Sequence, residues 1–209
     1  KKMTDNNMVN FLRNNLLNSS SPNPSVETLL HAFLPHKYID HTHSNAILSL
    51  VNLENSNSIL KKIFDNKLAI VPYVMPGFDL AKICYQIYNK NKKVEGLLLL
   101  NHGIFTFAAT AEDSYKRMIK YVTIAENFIK KCKLKSKKIN SVINKNNNFD
   151  IGKLQNQIRK IYYNSTNIKW IIKHNGNKED ILLSNNKNLK KMFGKGPVTP
   201  DHVIRIKSK

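Results

Sequence analysis

The 209-residue chain has a mass of 24.0 kDa and is 41% hydrophobic, which is enough for one domain, or one domain with a small appendage. It contains no run of about 20 apolar residues and its N-terminus has no apolar stretch of export-signal length, so neither a membrane span nor secretion is expected. The cysteines, Cys84 and Cys132, lie far apart and indicate neither a disulfide framework nor a thiolate metal site. These features predict a cytoplasmic protein.

The formal charge of +20 comes almost entirely from lysine, because the chain has 30 lysines and only 4 arginines, alongside 29 asparagines. Arginine makes the planar, paired hydrogen bonds that recognise phosphates and guanines, and it is nearly absent here. Aromatic residues are not interleaved with the lysine runs, as they are in surfaces that stack bases. The composition therefore indicates a chain-wide drift with solvated lysines, and we expect no specific nucleic-acid partner and no membrane partner.

The first third of the chain alternates helical and extended patterns. Residues 1–18 predict a polar helix or a frayed leader, and Asn23-Pro24 has the form of an N-cap followed by proline at the first helical position. The elements expected next are a helix at Ser25–Leu34, ended by Pro35, a strand at Tyr38–His43 and a helix at Asn45–Leu53.

The middle of the chain continues this alternation. A short strand at 70–77 runs into a turn and is followed by an amphipathic helix at Phe78–Tyr88. Val94–Leu100 contains four consecutive leucines, which indicates a strand buried on both faces. Ile104–Ala108 resumes extended structure. Thr110 and Asp113 then form a capping box that opens the longest predicted helix, at Ala111–Lys131.

The C-terminal third is more polar. Residues 133–149 are rich in lysine and asparagine and predict a linker. The elements expected after it are a helix at Ile151–Tyr163, a strand at Ile168–Lys173, a strand near Ile181 and a short helix at Leu189–Phe193. The sequence thus predicts a layered α/β domain over residues 1–132, the linker, and a small αβ appendage over 150–209.

A pair of histidines suggests a metal site. Side chains alternate along a strand, so His41 and His43 project from the same face and can share one ion. His102 follows the buried strand, and Gly103 allows a sharp turn there, so His102 is the candidate third ligand. Three imidazoles with open positions are typical of a catalytic site; the residue types favour Zn²⁺ and leave Mn²⁺, Fe²⁺ and Co²⁺ open. The alternative is that these histidines only satisfy hydrogen bonds at strand ends.

Five segments follow one another along the chain: Pro24–His31, His41–Ala46, Pro72–Ala81, Glu95–Phe107 and Gly196–Arg205. Together they resemble the class II aldolase/adducin family, and most closely the aldolase part of the bifunctional rhamnulose-1-phosphate aldolase/alcohol dehydrogenase proteins. The resemblance implies a three-layer α/β/α class II aldolase-like fold. Its central sheet is expected to be mixed and largely antiparallel, with the first strands of the family's sheet missing from this chain.

The resemblance also implies a site and a reaction. His41, His43 and His102 correspond to the family's metal ligands, usually for zinc, and Glu27 lies in the motif of its acid/base glutamate. Without the resemblance, the preferred interpretation of Glu27 is a favourable charge in the first turn of a helix. The implied reaction is the cleavage of rhamnulose 1-phosphate to dihydroxyacetone phosphate and lactaldehyde by a homo-oligomer. His31 is expected to pack or support the site, His202 is a further candidate, and His36 and His174 are expected at the surface.

Two features depart from the family pattern. The 23 residues before Pro24 contain no glycine, so the family's phosphate-binding segments are not recognisable, and the chain has no Gly-x-Gly-x-x-Gly fingerprint, so no dehydrogenase activity is expected. One alternative is therefore a non-catalytic, adducin-like interaction module, or an inactive fragment of the bifunctional enzyme. Another is an aldolase or epimerase that acts on a different sugar phosphate. The presence of all three histidines favours an enzyme.

Overall fold

The computed structural model describes residues 3–132, 150–173 and 199–205, together with positions 191, 194, 196 and 197. The chain divides into two compact units, one formed by Lys1–Leu134 with Pro197–Lys209 and the other by Lys135–Gly196. Residues 197–209 thus group with the first unit, whereas the sequence analysis assigned them to the appendage. The expected division into domain, linker and appendage stays a prediction.

The first unit is built on a four-stranded mixed sheet. Its strands are β1 (Tyr38–Thr42), β2 (Leu68–Val71), β3 (Gly96–Leu99) and β4 (Gly103–Ala108), arranged in the order β1-β4-β3-β2. The β1–β4 and β4–β3 pairs are antiparallel, and the β2–β3 pair is parallel. The expected mixed, largely antiparallel sheet is confirmed.

The first unit also contains helices. They are α1 (Asp5–Asn14), α2 (Thr28–Phe33), α3 (Asn45–Val51), α4 (Asn57–Ile63), α5 (Phe78–Lys90), α6 (Ala111–Lys131) and α8 (Pro200–Arg205). The second unit contains α7 (Ile151–Thr166). Among the helices that the structure describes, none combines the length and the apolarity needed to cross a bilayer.

Two hydrophobic cores lie on opposite faces of the sheet. One core joins α2 and α5 to the sheet, and the other joins α3, α4 and α6 to it. Alternation along β3 sends Leu97 and Leu99 into the first core and Leu98 into the second. Every residue of β3 and β4 is buried, as the run of leucines predicts for the former. The α/β layering expected from the sequence is therefore confirmed.

Two helix starts show how local chemistry sets the element bounds. Thr110 accepts a hydrogen bond from the backbone N–H of Asp113, so α6 begins where the capping box predicts. The helix expected from Ser25 begins only at Thr28, and this part of the prediction is wrong. The Ser25 hydroxyl accepts from the Glu27 N–H, and the Ser25 carbonyl accepts from the Thr28 N–H, so residues 25–27 form a turn before α2.

The structure differs from the sequence prediction in several other elements. Residues 168–173 form no strand. Helix α7 is followed by its C-cap Asn167, which has a left-handed φ of 55°. The Ile172 carbonyl accepts a hydrogen bond from the Gln155 side chain. Helices α4 and α8 were not predicted. The expected strand near Ile181 and the helix at 189–193 lie outside the described residues, apart from position 191.

Candidate metal centre

His41 projects from β1, and its ring is held by a stacking contact and a hydrogen bond. It pairs with Phe105 of β4 in the sheet register and stacks on that ring, with centroids 3.9 Å apart and planes 10° apart. Its Nδ1 lies 2.9 Å from the Ile104 carbonyl oxygen, which accepts a hydrogen bond from the ring N–H. Because Nδ1 carries the proton, Nε2 presents a lone pair to the site.

His43 lies one residue beyond the end of β1, which stops at Thr42 rather than extending to His43 as expected. Its Nδ1 is 3.0 Å from Asp201 Oδ2 of α8, and its Nε2 is 2.9 Å from His41 Nε2. The spacing of the two histidines thus brings their Nε2 atoms together, as the sequence analysis predicted.

His102 enters from the turn between β3 and β4. Asn101 has a left-handed φ of 57° and Gly103 a φ of 156°, so the chain reverses within a few residues and aims the buried His102 ring back toward β1. A Cβ on Gly103 would lie 2.5 Å from the Thr42 carbonyl oxygen and close to the rings of His41 and His43. Glycine is therefore required for the close approach that assembles the site.

Glu27 occupies the N-cap position of α2, not the first helical turn. One carboxylate oxygen lies 2.6 Å from His102 Nε2, and the other lies 3.6 Å from His41 Nε2. The first contact is close, but it does not count as a hydrogen bond. Neither ring nitrogen of His102 therefore makes a well-aligned hydrogen bond with any residue that the structure describes.

These four side chains form one compact ligand set. One ligand atom from each of Glu27, His41, His43 and His102 lies within 4.8 Å of the others. In a tetrahedral zinc site with Zn–N bonds near 2 Å, neighbouring ligand atoms are about 3.3 Å apart. The observed separations fall around that value, so the donor set is of the right size for one divalent ion.

The hydrogen-bond partners of the histidines also fit a bound cation. Acceptors face Nδ1 of both His41 and His43, so in neutral rings both Nε2 atoms carry lone pairs. Two lone pairs facing each other at 2.9 Å repel, unless a cation or an added proton lies between them. His102 points to the same conclusion, since it is buried and neither of its ring nitrogens makes a well-aligned hydrogen bond with a described residue.

The electrostatics keep His41 and Glu27 in ligand form near neutral pH. The pKa of His41 is lowered to about 4, chiefly by burial and to a smaller extent by the neighbouring histidines, against the opposing effects of Glu27 and the Ile104 carbonyl. Burial alone would raise the pKa of Glu27, but the contact with His102 and the adjacent imidazoles outweigh it and lower the pKa. A neutral imidazole beside an ionised carboxylate is the state that binds a metal.

The remaining histidines do not join this cluster. His31 is exposed and meets the edge of Phe105, and His202 bonds to Thr199 through Nδ1. His36 was expected at the surface, but it stacks on Phe107 with one ring nitrogen buried, so that expectation is wrong. His174 lies outside the described residues. The contact between His43 and Asp201 was missed, because no local pattern pairs residues 158 positions apart.

Comparison with known proteins identifies the family. The family model described as the class II aldolase and adducin N-terminal domain matches residues 1–129. This chain belongs to the class II aldolase/adducin family. Class II aldolases depend on a metal, and the four-residue cluster is a possible site for one.

Two relatives illustrate how much of the chain the similarity covers. YuxG of Bacillus subtilis, named as an uncharacterized oxidoreductase, is 41% identical over 128 residues, which cover 61% of this chain and 19% of that protein. The N-terminal class II aldolase domain of a conserved protein from Thermoplasma acidophilum shares 43% identity. Its TM-score is 0.56, with 62% of this chain and 59% of that chain covered. The chain thus spans about a fifth of the length of the curated relative.

Proposed function

We propose that the first unit is a metal-dependent aldolase that cleaves a ketose 1-phosphate. The favoured substrate is rhamnulose 1-phosphate, which would yield dihydroxyacetone phosphate and lactaldehyde. The observation that carries this proposal is the convergence of three imidazoles and one carboxylate on a single point. A non-catalytic interaction module has no need to bury His102 beside two further imidazoles and a carboxylate.

His41, His43 and His102 would hold the ion, and zinc is the metal we propose because three nitrogen ligands of this type suit it. When bound, the ion would supply a Lewis acid that stabilises negative charge on substrate oxygens as the carbon–carbon bond breaks. The protein's part is to keep the ligands fixed. The stack of His41 on Phe105 and its bond to the Ile104 carbonyl do this for one of the three rings.

Glu27 would move the proton at the carbon where negative charge collects. Its carboxylate is half-buried beside the histidines, and its lowered pKa keeps it ionised and able to accept a proton near neutral pH. Its place at the N-cap of α2 joins it to the first core through Leu30, so its backbone is stiffly supported. A second carboxylate, that of Asp201, contacts Nδ1 of His43 and is not part of the four-residue cluster.

The rhamnulose-type branch is supported by the C-terminal segment. Gly196–Arg205 resembles that subfamily in sequence, and α8 within this segment reaches His43 through Asp201. The substrate class would therefore be read in part by residues far from the histidine motif. We also propose that the protein forms a homo-oligomer, as the family resemblance implies, which light scattering of the purified chain will test.

Metal content tests the ligand assignment. We expect about one divalent ion per chain in protein purified without chelator, and loss of the ion in His102→Ala because one of three imidazole ligands is removed. His31→Ala is the matched control, since His31 touches Phe105 but lies outside the cluster. Full retention of the ion in His102→Ala, measured by elemental analysis, would show that the assignment is wrong.

Enzyme assays test the role of Glu27. Glu27→Gln keeps the size of the side chain but removes the proton acceptor, so cleavage of rhamnulose 1-phosphate should fall by about 10²–10⁴-fold. Three imidazoles remain in this variant, so its metal content should stay unchanged. An unaltered rate would remove Glu27 from the mechanism. A wild-type chain that holds metal yet cleaves no ketose 1-phosphate would favour the adducin-like interaction module.

A further inference from the structure

The C-terminal tail contributes a carboxylate to the metal centre. Asp201, in helix α8, accepts a hydrogen bond from His43 Nδ1 at 3.0 Å, although the two residues are 158 positions apart. Both belong to the first compact unit. The Asp201 side chain is 61% exposed and that of His43 only 19% exposed, so the aspartate reaches inward from the surface to the back of the ring.

We infer that Asp201 is a positioning residue for His43: it holds the proton on Nδ1 and thereby directs the lone pair of Nε2 into the metal site. The inference rests on the proposed metal site, but its first step, the choice of tautomer, does not need the metal. Which nitrogen of an imidazole is free is set by the hydrogen bond that the other nitrogen makes. A carboxylate in this role also raises the basicity of the ligand nitrogen.

His41 and His43 are positioned by different kinds of acceptor. A backbone carbonyl, that of Ile104, faces Nδ1 of His41, whereas a charged side chain faces Nδ1 of His43. His41 is also stacked on Phe105. Among the residues described, the only aromatic rings next to His43 are those of the other two histidines of the cluster. His43 therefore depends more on its hydrogen bond for its orientation.

This role differs from that of an ordinary surface ion pair. Exposed ion pairs add little to stability, because solvent screens them and both side chains must be ordered. If Asp201 were only such a pair, its removal would leave both the metal affinity and the histidine tautomer unchanged. If it positions His43, its removal will weaken metal binding while the apoprotein remains folded.

Two measurements on the full chain test the inference. In the metal-free protein, ¹⁵N NMR of the imidazoles should show the His43 proton on Nδ1, and Asp201→Ala should shift population toward the Nε2–H form. In the second measurement, Co²⁺ is titrated into the apoprotein and followed by its visible absorption. Asp201→Ala should weaken Co²⁺ binding about 10–100-fold, the usual cost of losing such a partner. Asp201→Asn, which keeps an acceptor but no charge, should lose less.

Glu112→Ala is the control for charge, because it also removes an exposed carboxylate and one negative charge, and Glu112 forms an ion pair with Lys116, four residues along α6. It should bind Co²⁺ like the wild type. Urea unfolding of the apoproteins will confirm that the variants are folded. A His43 proton found on Nε2 in the wild type, or an Asp201→Ala variant with unchanged tautomer and Co²⁺ affinity, would overturn the inference. A tautomer shift in a protein that binds no Co²⁺ would uphold it and refute the proposed metal site instead.

Discussion

Gly103→Ala should both destabilise the fold and disturb the metal centre. Gly103 has a φ of 156°, which side chains of L-residues rarely adopt, and a Cβ there would lie 2.5 Å from the Thr42 carbonyl oxygen. It would also lie 3.1 Å from His43 Cδ2 and 3.3 Å from His41 Cε1. The obstacle is backbone at the end of the β1–β4 pair, so it cannot rotate away as a side chain would.

The expected cost combines two effects. The backbone conformation alone costs an alanine on the order of 1–3 kcal/mol. Separating the strands at Thr42 should also weaken the terminal hydrogen bond of the ladder, for about 1 kcal/mol more. A total near 3 kcal/mol would lower the urea midpoint by about 1.5 M if the slope is about 2 kcal/mol per M. Because both rings must move by a few tenths of an ångström, Co²⁺ binding should weaken as well.

Gly77→Ala is the matched control, because its φ of 154° is nearly the same. The atoms that a Cβ on Gly77 would meet belong to the Asp5 side chain, which can move, and Gly77 is not part of the histidine cluster. Urea unfolding of both variants, with Co²⁺ titration, makes the comparison. Our reasoning about the close approach would be refuted if Gly103→Ala were no less stable than Gly77→Ala and bound Co²⁺ as the wild type does.

Three further outcomes are expected. Asp5→Ala removes the carboxylate that accepts from the Phe78 N–H at the start of α5, so urea unfolding should show a loss of about 1 kcal/mol. Burial alone would raise the pKa of Glu95, but hydrogen bonds from Tyr121 and Lys120 outweigh burial and lower this pKa. The ionised Glu95 therefore stabilises the fold fully above its ordinary pKa of 4.5, and this stabilisation is lost as the pH falls below that value. Glu95→Gln should therefore lower the urea midpoint at pH 7, with a difference from the wild type that shrinks toward pH 4. Finally, duplex DNA should bind weakly and without sequence preference, because the +20 charge is spread over lysines. A filter-binding assay should show that the DNA dissociates at moderate salt. Tight, sequence-selective binding at physiological salt would contradict this expectation.

Local patterns were enough to predict most elements of the first unit. The four leucines of Val94–Leu100 predict a strand buried on both faces, and β3 is one, because period-two alternation sends its side chains into two cores. The Thr110–Asp113 capping box predicts the start of α6, because the bond that caps it joins residues three apart. The two-residue spacing of His41 and His43 predicts a shared face for the same reason. In each case the sequence signal lies within a few residues.

Tertiary structure decided the features that depend on distant partners. A strand exists only when its backbone groups are paired, and residues 168–173 form none although their composition is extended in character. The turn at Ser25 replaced the expected first turn of α2 and placed Glu27 at an N-cap facing the histidines. Asp201 reaches His43 across 158 residues, and the strand alternation that aligns His41 with His43 carries no information about that contact. Sequence periodicity indicates on which face of a helix or strand a side chain lies. Which residues of distant elements that side chain contacts is determined only by the packing of the chain.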